Sequence, residues 1–70
     1  MSQINYFSFN GQCYYTKQNL TLLDIMIYFN YNSSLLILEL NQSVCNKDKW
    51  HQTFINNNDK LEVVSIVGGG

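Results

Sequence analysis

Asn10-Gly11 stands between two segments crowded with aromatic residues, 4–9 and 12–16, and fixes how the chain begins. A two-residue type I′ turn needs positive φ at both central positions, and Asn followed by Gly meets that requirement with little strain. The spacing predicts an opening β-hairpin. Lys17-Gln18-Asn19 then breaks the pattern, and Thr21 with Asp24 three residues on reads as a helix start, a hydroxyl N-cap with an acid in the first turn. A helix over residues 22–29 follows. In it Leu22, Ile25, Met26 and Phe29 fall at i, i+3, i+4 and i+7 and form one apolar face. Leu23 and Ile27 point elsewhere, so either neighbouring strands or loops cover them or a partner does, with cover from within the chain the expectation.

After a polar connection over 30–34, the apolar run 35–40 reads as a buried central strand. Asn41-Gln42 turns the chain into a brief extension at Val44-Cys45, and Asn46 is placed to cap a single helical turn through Lys47, Asp48, Lys49 and Trp50. Asn56-Asn57-Asn58-Asp59 reads as a loop, and residues 61–67 as the last strand. Along that strand Leu61 and Val63 share one face, and Val64 and Ile66 the other. One face must pack on the helix; the other, also apolar, is expected to border solvent or a partner.

The order ββαβ(β)β, with a right-handed crossover through the helix, lets the first and last strands lie side by side in a mixed sheet wrapped on one helix. The fold expected is α+β, a ubiquitin-like β-grasp of four or five strands. A domain over residues 1–67 would then carry a flexible glycine tail over 68–70.

Seventy residues make one domain near the lower size limit for independent folding. A core leaves little room for a substrate cleft, which usually occupies about 300–1,000 Å³, so function at a surface or a terminus is expected. With 46% hydrophobic residues, the chain has the apolar area that disordered segments lack. Lys17, Lys47, Lys49 and Lys60 are the only cations, which is too few to track a phosphate backbone, so no nucleic-acid partner is expected. The longest clear apolar run is strand-sized, far short of the ~20 residues of a membrane span. The N-terminus lacks a basic flank and an apolar stretch, so an internal, soluble protein is expected. In that setting Cys13 and Cys45 are expected to be buried reduced thiols rather than a disulfide. The three Asn-x-Ser/Thr matches, at Asn19, Asn32 and Asn41, carry no weight in a chain with ten Asn. Abundant Asn, Tyr and Ile beside no Ala, Arg or Pro points to AT-rich coding, and so to cytoplasm or plastid stroma as the compartment.

The sequence closes on Gly68-Gly69-Gly70. Glycine has no Cβ, and such a tail can pass through a channel too narrow for side chains. The reactive group would be the Gly70 carboxylate, a poor electrophile until an ATP-using partner converts it into a mixed anhydride or thioester. The chain is then a substrate and carrier rather than an enzyme. The alternative is a frayed terminus with no chemistry.

These pieces together resemble the ThiS family of sulfur carriers in thiamine thiazole biosynthesis. The resemblance is carried by Phe9-Asn10-Gly11, Thr21-Leu22-x-Asp24-Ile25-Met26 and Leu38-x-Leu40-Asn41-Gln42-x-Val44. It continues through Lys47-x-x-Trp50, Asn58-Asp59-x-Leu61-Glu62-Val63-Val64 and Ile66-Val67-Gly68-Gly69-Gly70. It implies a ThiF-type enzyme that adenylates Gly70 with ATP, and a cysteine desulfurase or related sulfurtransferase as sulfur source. Thiazole synthase, ThiG, would accept sulfur from the resulting thiocarboxylate. Gly68 and Gly69 would thread into each partner, and Val64, Ile66 and Val67 would dock. No bound cofactor is implied, and the free carrier would be monomeric. The MoaD family of molybdopterin synthesis shares the fold and the glycine end but typically carries prolines before the tail, and this chain has none. A non-covalent ubiquitin-like adaptor is the other alternative.

His51 has no Cys/His cluster, Ser or acid at useful spacing and is read as a partly exposed structural residue. Trp50 is read as a packing anchor. Asp24, Glu39, Asp59 and Glu62 are read as solvated or capping acids.

Overall fold

The computed structural model describes residues 3–31 and 35–65. Five strands form one mixed sheet: β1 (Asn5–Phe9), β2 (Gln12–Thr16), β3 (Leu36–Leu40), β4 (Ser43–Cys45) and β5 (Asp59–Ser65). Helix α1 (Leu22–Tyr28) crosses between β2 and β3, and a 3-10 helix (Lys47–Gln52) lies between β4 and β5. The sheet order is β2-β1-β5-β3-β4. The β1–β5 pair is parallel and the other three pairs are antiparallel. This is the expected β-grasp, in its five-stranded form.

Local chemistry explains the elements. Asn10 and Gly11 both take positive φ, 52° and 84°, as a type I′ turn requires. Asn41 and Gln42 repeat the device between β3 and β4, with φ of 53° and 72°. At α1, Thr21 and Asp24 form a reciprocal capping box: the Asp24 amide donates to Thr21 Oγ1 and the Thr21 amide to Asp24 Oδ2. Asn46 precedes the 3-10 helix, but its side chain makes no capping bond. Its carbonyl accepts from the Lys49 amide instead, at 2.9 Å.

One face of the sheet packs on the helix. Phe7, Phe9, Leu38 and Leu61 from the strands meet Leu22, Ile25 and Met26 from α1, with Trp50 and Ile55 closing the end. Phe29 extends the helix stripe and stacks on Phe9, ring centroids 4.5 Å apart. The indole N–H of Trp50 donates to the Cys45 carbonyl at 2.9 Å, so the largest buried side chain is also satisfied.

Three expectations need correcting. Leu23 and Ile27 are exposed, as is Tyr28, because the sheet covers only one side of α1. Cys13 is exposed on β2, and Cys45 is half-buried on β4. These strands are the two edges of the sheet, four strand spacings or roughly 19 Å apart, so the thiols cannot pair within the chain. Asp59 is neither solvated nor in a loop. It opens β5, is 8% exposed, and its carboxylate accepts from Asn41 Nδ2 at 3.0 Å and from the Asn56 amide at 2.7 Å. Replacing Asp59 with Ala strands both donors and is expected to lower stability by about 1–3 kcal/mol, measured by urea denaturation. A change within 0.5 kcal/mol would mean the two bonds contribute little.

Candidate functional site

Strand β5 leads the chain toward Gly70. It is held between β1 and β3, and its outer pairing runs to Leu36↔Ser65. Alternation along the strands then sorts side chains between the two faces of the sheet. Leu61 and Val63 pack inward, whereas Lys60, Glu62 and Val64 face away from the helix, as do Ile37 and Glu39 on β3 and Val44 on β4. Val64 is 44% and Val44 61% exposed. Of the expected docking residues, Val64 lies on this open face; Ile66, Val67 and the tail Gly68, Gly69 and Gly70 lie outside the described residues. The division into residues 1–67 and 68–70 rests on that same stretch.

The cross-strand register adds what sequence reasoning missed. Ile37 is opposite Val64, and Glu39 is opposite both Glu62 on β5 and Val44 on β4. Two carboxylates therefore sit side by side, flanked by Ile37 and Val64 on one side and by Val44 on the other. Like charges directly opposite weaken a sheet, so the pair is better suited to meeting a cationic partner than to holding β3 on β5. Alternation in the sequence already put both acids on outward positions. Only the pairing register shows that they coincide.

Elsewhere the chemistry is sparse. His51 is exposed on the 3-10 helix, and among the described residues no group of three or more His, Cys, Asp or Glu is placed to hold a metal. No helix among them is long and apolar enough to cross a membrane. An open groove of about 560 Å³ runs between β2 and α1, past Phe7, Tyr14, Leu20, Ile25, Tyr28 and Phe29. It is a larger concavity than the chain length suggested. Its one acid, Asp24, is committed to the helix cap.

The ThiS family profile matches residues 7–70, from the first strand through the glycines. The chain belongs to the ThiS family. It is 55% identical over 64 residues to the protein ycf40 of Trieres chinensis, spanning 91% of this chain and 88% of that one. It is 28% identical over 54 residues to the sulfur carrier protein ThiS of Bacillus subtilis, spanning 77% and 82% of the two chains. The crystal structure of the thiamine biosynthesis protein ThiS from Geobacter metallireducens superposes with a TM-score of 0.78 at 19% identity, covering 93% of this chain and 99% of that one. That likeness extends to the whole β-grasp architecture.

Proposed function

We propose that this ThiS-family chain is a sulfur carrier whose reacting group is the Gly70 carboxylate. The observation that carries the reading is the family match, which extends from the first strand to residue 70 and so includes all three terminal glycines. A carboxylate oxygen of Gly70 attacks the α-phosphorus of ATP in a ThiF-type enzyme, and pyrophosphate leaves. The terminal sulfur of a persulfide on a cysteine desulfurase or sulfurtransferase then attacks the acyl carbon and AMP leaves, and a thiol reduces the acyl disulfide so formed, freeing the thiocarboxylate. The resulting thiocarboxylate passes sulfur to thiazole synthase, ThiG. The catalytic groups and the ATP belong to the partners. Gly68 and Gly69 let the backbone enter their sites without side-chain clashes. Plastid stroma or cytoplasm is the compartment we propose, on the AT-rich style of the composition.

Docking is assigned to the open sheet face around Val64, together with Ile66 and Val67. The Glu39–Glu62 pair supports a partner surface that is apolar at its middle and cationic beside it. Val64→Glu adds a third carboxylate at an exposed position. It is expected to raise KM for the activating enzyme about tenfold, with kcat and thermal stability little changed. An unchanged KM would remove this face from the docking surface.

The deciding experiment is the intact mass of the protein after incubation with a ThiF-type enzyme, ATP and a sulfur donor, with fragmentation to locate any change. Exchange of one oxygen for sulfur at Gly70 is the expected result. An unmodified terminus beside an enzyme shown to be active on another carrier would overturn the carrier reading.

A further inference from the structure

The hairpin turn does more than reverse the chain. Strand β1 pairs with β5 only as far as Phe9↔Leu61, because at Gly11 the backbone turns away toward β2. Strand β5 runs on to Ser65. Beyond Leu61 its β1-side edge would lose its partner, while β3 continues to hold the opposite edge through Leu36↔Ser65. Asn10 takes over at that point. Its own amide donates to the Leu61 carbonyl at 2.9 Å, and its side-chain Oδ1 accepts from the Val63 amide at 2.9 Å. One residue thus supplies a backbone bond and a side-chain bond that imitate two successive rungs of a parallel ladder.

The amide is itself oriented. Asn10 Nδ2 donates to the Tyr31 hydroxyl at 3.1 Å. With Val63 requiring an acceptor, the oxygen must face β5 and the nitrogen Tyr31. Tyr31 is fixed in turn, since its backbone amide donates to the Met26 carbonyl at the end of α1 and its ring meets Phe9 edge-on at 5.5 Å. A continuous brace therefore runs from the helix through Tyr31 and Asn10 to Val63, three residues before the family's glycine-bearing end begins at Ile66.

We propose that Asn10 is a positioning residue for carrier chemistry: it sets the direction in which β5 delivers the C-terminus to the activating enzyme. The proposal rests on the carrier reading, because it concerns the reach of Gly70. Activation demands that a carboxylate meet the α-phosphorus in line, and small misplacements at a reacting atom reduce rate steeply. Docking through Val64 and its neighbours can remain intact while delivery fails, so the effect belongs in kcat rather than KM.

Asn10→Gly tests this with the turn preserved, since glycine accepts the φ of 52° at this position without strain. Amide exchange at Val63 is expected to accelerate about tenfold, the upper range for loss of one hydrogen bond. Turnover by a ThiF-type enzyme is expected to show kcat down about tenfold, with KM within about twofold of the parent. Asn10→Asp should restore both, because a carboxylate oxygen accepts from Val63 and the Tyr31 hydroxyl can donate to the other. Unchanged Val63 exchange in the glycine variant would overturn the proposal. So would faster exchange with unchanged kcat, which would leave the brace purely structural, or failure of Asp to rescue. If the parent protein is not turned over by an active enzyme, the carrier reading falls and this role falls with it. The exchange measurement needs no turnover, so the two failures are distinguishable.

Discussion

Adding a single residue after Gly70 is expected to abolish thiocarboxylate formation, by at least about a hundredfold, while far-UV circular dichroism and the unfolding midpoint stay where they were. On the proposed mechanism the extension would move the reacting carboxylate past the α-phosphorus and put an amide in its place, and an amide oxygen does not form the mixed anhydride. Deleting Gly70 should be as damaging for the opposite reason, since it withdraws the terminus by about 3.3–3.6 Å. Neither change touches the buried cluster around Leu38, Leu61 and Trp50, so a fold defect cannot mimic the result. Time-resolved intact mass in the presence of a ThiF-type enzyme reads it directly. A non-covalent adaptor would bind its partner equally well in all three forms. Undiminished activation of the extended chain would be fatal to Gly70 as the reacting residue.

The second large effect lies in the core. Trp50→Ala is expected to destabilise the domain by about 3–5 kcal/mol, which is comparable to what a single core of this size supplies. The variant should therefore be substantially unfolded without denaturant. Trp50 is 1% exposed and joins the 3-10 helix to the sheet and α1, and its indole N–H answers the Cys45 carbonyl at 2.9 Å. Trp50→Phe keeps much of the volume but leaves that carbonyl without its donor, so an intermediate loss of about 1–3 kcal/mol is expected. Urea titration followed by far-UV circular dichroism ranks the three proteins. An Ala variant within 1 kcal/mol of the parent would show that Trp50 does not anchor the core.

Much of the architecture was legible because its signals are local. Asn10-Gly11 needs no distant partner to demand a type I′ turn, and Thr21 with Asp24 defines its own helix start. The stripe Leu22, Ile25, Met26 and Phe29 declares a buried face by spacing alone. What escaped the reading depends on which residues meet across long stretches of sequence. Asp59 looked like part of a polar loop; only the return of Asn41 beside it makes a buried, fully used carboxylate. Glu39 and Glu62 were each plausible as solvated acids until the β3–β5 register set them opposite one another. Cys13 was expected inside on the general behaviour of thiols, but its strand is an edge and its side faces away from the helix. Leu23 and Ile27 were assigned a cover that a single-layer sheet cannot provide. The tail was conspicuous in sequence for its lack of side chains, which is also why its role rests on chemistry and kinship rather than on packing.

The parallel pairing of β1 with β5 also governs when this protein comes into being. The middle strand, β5, and its parallel neighbour β1 lie far apart in the sequence, so the sheet cannot close until the last strand is available. Local hairpins and the helix can form early, but the pairing that unites them is the slow, entropically demanding step. A chain interrupted before Asp59 would lack both the partner for Phe7 and Phe9 and the acid that binds Asn41. The surface around Val64 is thus assembled in that same event, so on the proposed carrier reading an incompletely made or misfolded copy would offer no docking face with which to occupy an activating enzyme.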